Sequence, residues 1–169
     1  MTRNNGSGGE ADGAEPTVAI TGAAGYIGSR VIVEFQETHS DWELVAIDNQ
    51  YRGQVDAVGD VEIQHVDIRN RERLEGALAS ADVVCHLAAI SGVDDCEENS
   101  DLVYEVNVTG TNNVVWFCRK TGAALAFPFS MTVLGDPESF PITANQPRDQ
   151  GARRRCVPGA FVLETESVR

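Results

Sequence analysis

Residues 21–28 read Thr-Gly-Ala-Ala-Gly-Tyr-Ile-Gly. They lie between a short apolar run, Thr17, Val18, Ala19 and Ile20, and a stretch in which Val31, Ile32 and Phe35 recur at helical spacing. A brief β-branched run bounded by Pro16 and a glycine turn has the form of a buried parallel strand. Strand, tight glycine turn and helix in that order form the opening unit of a doubly wound α/β sheet. In such a unit Gly22 lets the chain leave the strand sharply, Gly25 removes a side chain that would block an approaching phosphate, and Gly28 allows close packing of the new helix. The amides of the first helical turn and the positive end of the helix dipole then face the anion. A glycine run of this kind also occurs as a plain turn, so its weight depends on the rest of the chain.

A second apolar run, residues 44–47, ends at Asp48, twenty residues beyond Gly28. At that spacing an acidic side chain can accept both adenosine ribose hydroxyls of a dinucleotide. It would also repel a 2′-phosphate, which favours NAD over NADP. The other reading of Asp48 is a cap on the turn that follows the strand.

The remaining chain continues the alternation. Residues 62–66 read as a strand ending at Asp67, after which Asn70 can cap a helix carrying Leu74, Ala77 and Leu78. Residues 83–87 form a fourth apolar run leading into Ala88, Ala89, Ile90, Ser91 and Gly92, and an acidic loop follows. Asn99 or Ser100 can cap a long helix through Leu102, Val103, Val106, Val114, Val115 and Cys118, stopped by Gly122. A fifth run, residues 124–129, ends at Ser130. Five strands with helical crossovers imply a Rossmann-like parallel sheet in the order 3-2-1-4-5, with helices on both faces.

Composition narrows the partners. The chain has 169 residues and a net charge of −13. That balance argues against nucleic acid and anionic membrane, whose phosphates it would repel. No apolar stretch is long enough to span a bilayer. Lys120 is the only lysine, and an acidic surface so poor in lysine resembles those of proteins from salt-rich cytoplasm. Cys85, Cys96, Cys118 and Cys156 form no close pairs, so buried, reduced thiols are expected and no metal site. Residues 1–16 read as a disordered, cytoplasmic leader and 17–147 as the dinucleotide-binding domain. Residues 1–147 carry a net charge of −15, whereas 148–169 carry +2 and read as an irregular basic tail.

Four motifs in register resemble those of the extended short-chain dehydrogenase/reductase family. They are Thr21-Gly22-x-x-Gly25-x-x-Gly28, His86-Leu87-Ala88-Ala89, Asn107-Val108-x-Gly110-Thr111-x-Asn113-Val114 and Ser130-Met131-Thr132-Val133-Leu134-Gly135-Asp136. More narrowly, the chain is similar to that family's NAD-dependent nucleotide-sugar epimerase and dehydratase branch. The resemblance implies that Gly22, Gly25, Tyr26, Ile27 and Gly28 wrap the pyrophosphate of NAD, that Asp48 and Asn49 hold the adenosine ribose, and that Asp67 and Ile68 edge the adenine. It also implies that Leu87, Ala88 and Ala89 line the path to the nicotinamide ribose, that Asn107 braces the site, and that Ser130 bonds the substrate hydroxyl undergoing oxidation. A nucleotide-sugar substrate and a possible homodimer come with it. From the residues alone, Asp67 also reads as a strand-end turn, Leu87 as core, the alanines as tight packing and Asn107 as a surface residue. His39, His65 and His86 read as structural or solvated. Gly110 in mid-helix points to a close backbone contact.

The resemblance also implies a Tyr-x-x-x-Lys pair after Ser130, with the tyrosine as proton acceptor, and the chain lacks it. Its tyrosines, Tyr26, Tyr51 and Tyr104, are followed four residues later by Arg30, Val55 and Val108. Where the pair should stand, residues 149–161 contain a proline, two glycines and no helical periodicity. The break in pattern and the change in charge coincide at residues 147–150, which suggests a frameshift, truncation or recombination and a catalytically impaired form. The alternatives are a non-catalytic NAD-binding or dimerising module, or a basic partner-binding tail using Arg153, Arg154 and Arg155.

Overall fold

A computed structural model describes residues 15–91 and 97–128. Ser130, Cys96, Cys156, the tail from residue 148 and all but the last two residues of the leader lie outside the described residues. The elements are β1 (Thr17–Thr21), α1 (Tyr26–Thr38), β2 (Glu43–Asp48), β3 (Ala57–Val58), β4 (Val61–His65), α2 (Arg71–Ala77) and β5 (Val83–His86). After them come α3 (Ser100–Tyr104), a π-helical segment (Glu105–Gly110), α4 (Thr111–Thr121) and β6 (Ala124–Ala126). The sheet order is β3-β4-β2-β1-β5-β6. Its five parallel strands stand in the order expected from the sequence.

The sixth strand was not expected. β3 pairs antiparallel with β4 through Ala57↔Glu62 and Val58↔Val61, around a turn in which Gly59 has φ +58°. A strand of two residues carries no periodicity, so the loop after Asp48 concealed it. At the other edge, β5 stops at His86 and β6 at Ala126, short of the expected ends at residues 87 and 129.

Side chains alternate across the sheet and build a core on each face. Ala19, Ile47 and Val84 point to the side covered by α2 and the α3-to-α4 run, where Leu74, Leu78, Val106, Val114 and Phe117 pack. Ile20, Ala46 and Ile63 point to the other side, where Ile32 of α1 seals the layer. Asn70 caps α2 as expected, its side chain accepting the Arg73 amide at 3.1 Å. Asn99 precedes α3 but makes no capping bond through its side chain. Gly122 closes α4 with φ +85°.

The expected long helix is interrupted by the π-helical segment. Widened turns of this type commonly mark functional sites, and this one carries Asn107 and Gly110. A Cβ on Gly110 would lie 2.5 Å from Cδ1 of Ile68, which is the close contact expected at that glycine. Cys85 and Cys118 are free thiols, both shifted to higher pKa by burial. No cluster of metal-ligating side chains exists among the described residues.

Candidate dinucleotide crevice

A cavity of about 560 Å³ opens at the carboxyl ends of β1, β2, β4 and β5, within the usual size range for small-molecule sites. The loop between β1 and α1 forms its floor. Gly22 has φ +73°, a conformation that L side chains resist, and its carbonyl accepts the Gly25 amide at 3.1 Å. A Cβ on Gly28 would lie 2.2 Å from the Gly22 carbonyl oxygen, so the close contact at Gly28 is with the glycine turn itself rather than with the sheet. A Cβ on Gly25 would meet only that oxygen, at 3.1 Å, and otherwise open space. Tyr26 and Ile27 line the cavity at the head of α1, where a helix offers its first amides no internal acceptor.

Asp48 caps the turn that follows its strand and also lines the cavity. One carboxylate oxygen accepts the amide of Ala24 at 3.0 Å and the other accepts the amide of Gln50 at 2.6 Å, while the residue lines the cavity. An ionised carboxylate has about four acceptor sites, so these two bonds leave capacity for hydroxyl donors. Asn49 also lines the cavity and donates from its side chain to Asp67 at 3.2 Å.

Asp67 does not line the cavity. Its carboxylate is engaged by Arg69, whose Nε lies 3.0 Å from one oxygen and whose Nη2 lies 2.7 Å from the other. The Arg69 guanidinium holds the Asp67 carboxyl down at about 2, against partial burial that would raise it. Arg69 also donates to Glu105 at 2.8 Å, and both carboxylates raise the arginine further. Ile68 and Arg69 form the cavity wall instead. Their backbone carbonyls accept the Asn113 side-chain amide at 3.0 and 3.2 Å.

Leu87, Ala88 and Ala89 line the opposite wall, continued by Ile90 and Ser91. Asn107 is buried behind them, which rules out its surface reading. Its side chain accepts the Ile90 amide at 2.8 Å and donates to the Ile90 carbonyl at 2.9 Å. It therefore braces this wall without lining the cavity. His86 is buried beneath the same wall between Thr21 and Thr111, and burial pushes its pKa down to about 4. Of the three histidines read as structural or solvated, His86 is structural.

Tyr51, Arg52, Gly53, Arg69, Leu102 and Val106 line the cavity without having been singled out in the sequence. Gly53 carried a usable signal, as a glycine in the loop after Asp48. A Cβ there would lie 2.3 Å from the Ala24 carbonyl oxygen, so the loop rests on the glycine turn.

The fold and its crevice define a Rossmann-like domain with its ligand site at the carboxyl ends of parallel strands. Residues 18–154 match the model of the NAD dependent epimerase/dehydratase family, and the chain belongs to that family. It is 30% identical over 141 residues to a UDP-glucose 4-epimerase of Dictyostelium discoideum, an alignment covering 77% of this chain and 40% of that protein. It is 32% identical over 151 residues to UDP-glucose 4-epimerase 2 of Oryza sativa subsp. japonica, covering 78% and 36%. Among solved structures, the Thermus thermophilus UDP-glucose 4-epimerase in complex with NAD matches with a TM-score of 0.67 and 30% identity, over 78% of this chain and 44% of that one. The chain spans about 40% of the length of the curated relatives it matches.

Proposed function

We propose that this chain holds NAD in the crevice, with the pyrophosphate on the loop of Gly22, Gly25 and Gly28 and the adenosine ribose on Asp48. The observation that carries this reading is the space at Gly25 beside the head of α1, next to a carboxylate fixed on the glycine turn by the Ala24 amide. Ile68 and Arg69 form the adenine side, with Asn49 between ribose and adenine. Asp67 acts through Arg69. Leu87, Ala88 and Ala89 form the nicotinamide side, with Asn107 holding that wall from behind. Bound there, NAD would supply a hydride acceptor.

The substrate class is a nucleotide sugar, as the names of the UDP-glucose 4-epimerase relatives suggest. Ser130 would bond its reacting hydroxyl. The 169 residues contain no Tyr-x-x-x-Lys pair, so this chain binds cofactor without turning sugar over. General-base catalysis typically contributes about 10²–10⁴-fold, and positioning is lost with it. The absence of the pair also supports the second reading, a non-catalytic NAD-binding or dimerising module.

Titration calorimetry with NAD and NADP tests the binding step, with tighter NAD as the expected result. Tighter NADP binding would overturn the assignment of Asp48. Epimerisation of UDP-glucose by the purified chain, abolished by Ser130→Ala, would overturn the loss of turnover.

A further inference from the structure

The imidazole of His86 joins two cavity-lining peptides to the helix behind them. Thr21 Oγ1 accepts the amide of Ala88 at 3.2 Å and shares the amide of Leu87, which lies 3.0 Å from the Thr21 carbonyl oxygen and 3.2 Å from Oγ1; Oγ1 lies 2.6 Å from His86 Nδ1. On the far side of the ring, Nε2 lies 3.0 Å from Oγ1 of Thr111, at the start of α4. Phe127 stacks over the ring at a centroid distance of 5.4 Å.

Hydrogen-bond accounting fixes the protons. A threonine hydroxyl has one donor proton and two acceptor lone pairs. At Thr21 the Ala88 amide and the shared Leu87 amide approach the lone pairs, and His86 Nδ1, at 2.6 Å, is the acceptor that the described residues offer to the hydroxyl proton. Nδ1 is therefore unprotonated, and the neutral ring carries its proton on Nε2 and donates it to Thr111. The opposite tautomer would bring the Nδ1 proton to Thr21 Oγ1 beside the Ala88 amide and the shared Leu87 amide, and would take away the acceptor of its own hydroxyl proton.

These hydrogen bonds run between the glycine loop and the facing wall of the crevice. The amide of Ala88 is anchored on Thr21, the residue before Gly22, and a Cβ on Gly22 would lie 2.7 Å from that same nitrogen. The glycine loop and the facing wall thus touch where Thr21 sets their spacing. We infer that His86, locked as the Nε2-protonated tautomer between Thr21 and Thr111, is a positioning residue that holds the Leu87–Ala88 wall at its working distance from the glycine loop. Its effect on affinity rests on the NAD-binding reading above, whereas the tautomer does not.

Two measurements on the full chain separate those claims. Nitrogen-15 NMR of the imidazoles, with the His86 signals assigned by their loss in His86→Asn, should show a protonated Nε2 and a bare Nδ1. A protonated Nδ1 overturns the inference whether or not NAD binds. The affinity measurement is NAD calorimetry on His86→Asn, His86→Gln and Thr21→Val. The asparagine oxygen can occupy the Nδ1 position and accept from Thr21, whereas glutamine reaches toward Thr111 and leaves the Thr21 proton without an acceptor. His86→Asn should stay within about twofold of the native affinity. His86→Gln and Thr21→Val should each weaken it about tenfold, the scale of one polar link lost. Equal losses in His86→Asn and His86→Gln, both folded by circular dichroism, would reduce His86 to a space-filling role. If the native chain shows the expected tautomer but binds no NAD, the NAD reading fails and the tautomer stands.

Discussion

The carboxylate of Asp48 accepts the backbone amide of Ala24 at 3.0 Å, tying the end of β2 to the middle of the glycine turn. Its second oxygen takes the amide of Gln50 at 2.6 Å, where Gln50 sits at φ +54°. One side chain therefore fixes the floor of the crevice and the start of the loop that covers it. Removing its charge should alter both the fold and the choice of cofactor.

Asp48→Asn retains one acceptor oxygen and turns an amide group toward a backbone N–H. One of the two backbone amides loses its acceptor, so stability should fall by about 1–2 kcal/mol. NAD affinity should fall about tenfold, and NADP affinity should fall less because the charge facing its 2′-phosphate has gone. Thermal unfolding and calorimetry with both cofactors check this. An unchanged NAD-to-NADP ratio would mean that Asp48 serves only the turn.

Two glycines should respond oppositely to alanine. Gly28→Ala places a methyl 2.2 Å from the Gly22 carbonyl oxygen and 2.8 Å from the Ala23 Cα, both backbone atoms of the turn. The turn must open, and we expect a loss of about 3 kcal/mol or more with cofactor binding abolished. Gly76 lies inside α2 with nothing within 4 Å of its Cβ position. Gly76→Ala should add about 0.5–1 kcal/mol by restricting the unfolded chain and improving helix propensity. Melting temperatures of both variants, read beside the native chain, test the pair.

What the sequence revealed and what it concealed divide along physical lines. Signals written in local chemistry were legible: Gly22 at its positive φ, Asn70 capping α2, Gly122 closing α4, and the apolar runs that became the five parallel strands in their order. Features made by tertiary contact were not. The π-helical segment carries Asn107, which reaches Ile90, and Gly110, which Ile68 approaches; the mid-helix glycine announced a close contact, but neither its partner nor the widened turn is written in the local sequence. Arg69 lines the cavity wall and Asp67, joined to it by an ion pair between residues two apart, does not. Short motifs name a neighbourhood and leave open which of its members faces inward.

Salt should stabilise the chain. At a net charge of −13 the folded surface repels itself, and counter-ions screen that repulsion. The ion pairs lost to screening are weak. Arg71–Glu75 and Lys120–Glu75, both at the surface, contribute little to begin with. Differential scanning from 0.1 to about 2 M potassium chloride should show a rising midpoint. A flat or falling midpoint would mean that specific ion pairs outweigh the net charge.

Acid should destabilise the fold in two separable steps. His86 has a folded pKa of about 4 against 6.5 for the free side chain, because burial disfavours its charged form. The folded state therefore binds fewer protons than the unfolded state between those values. The contribution is complete above pH 6.5 and is lost as pH falls toward 4. At 1.36 kcal/mol per pKa unit the loss is about 3 kcal/mol. Asp67 titrates lower. Arg69 depresses its carboxyl from 3.8 to about 2, so its contribution is complete above 3.8 and disappears as pH falls through 2. Acid also lowers the net negative charge, which relieves repulsion and opposes the His86 loss. The informative quantity is therefore the difference between the native chain and His86→Asn in urea midpoints measured from pH 7.5 to 3. That difference should shrink between pH 6.5 and 4, because only the native chain has an imidazole to protonate there. A constant difference across the range would mean that burial between Thr21 and Thr111 does not depress the His86 imidazole.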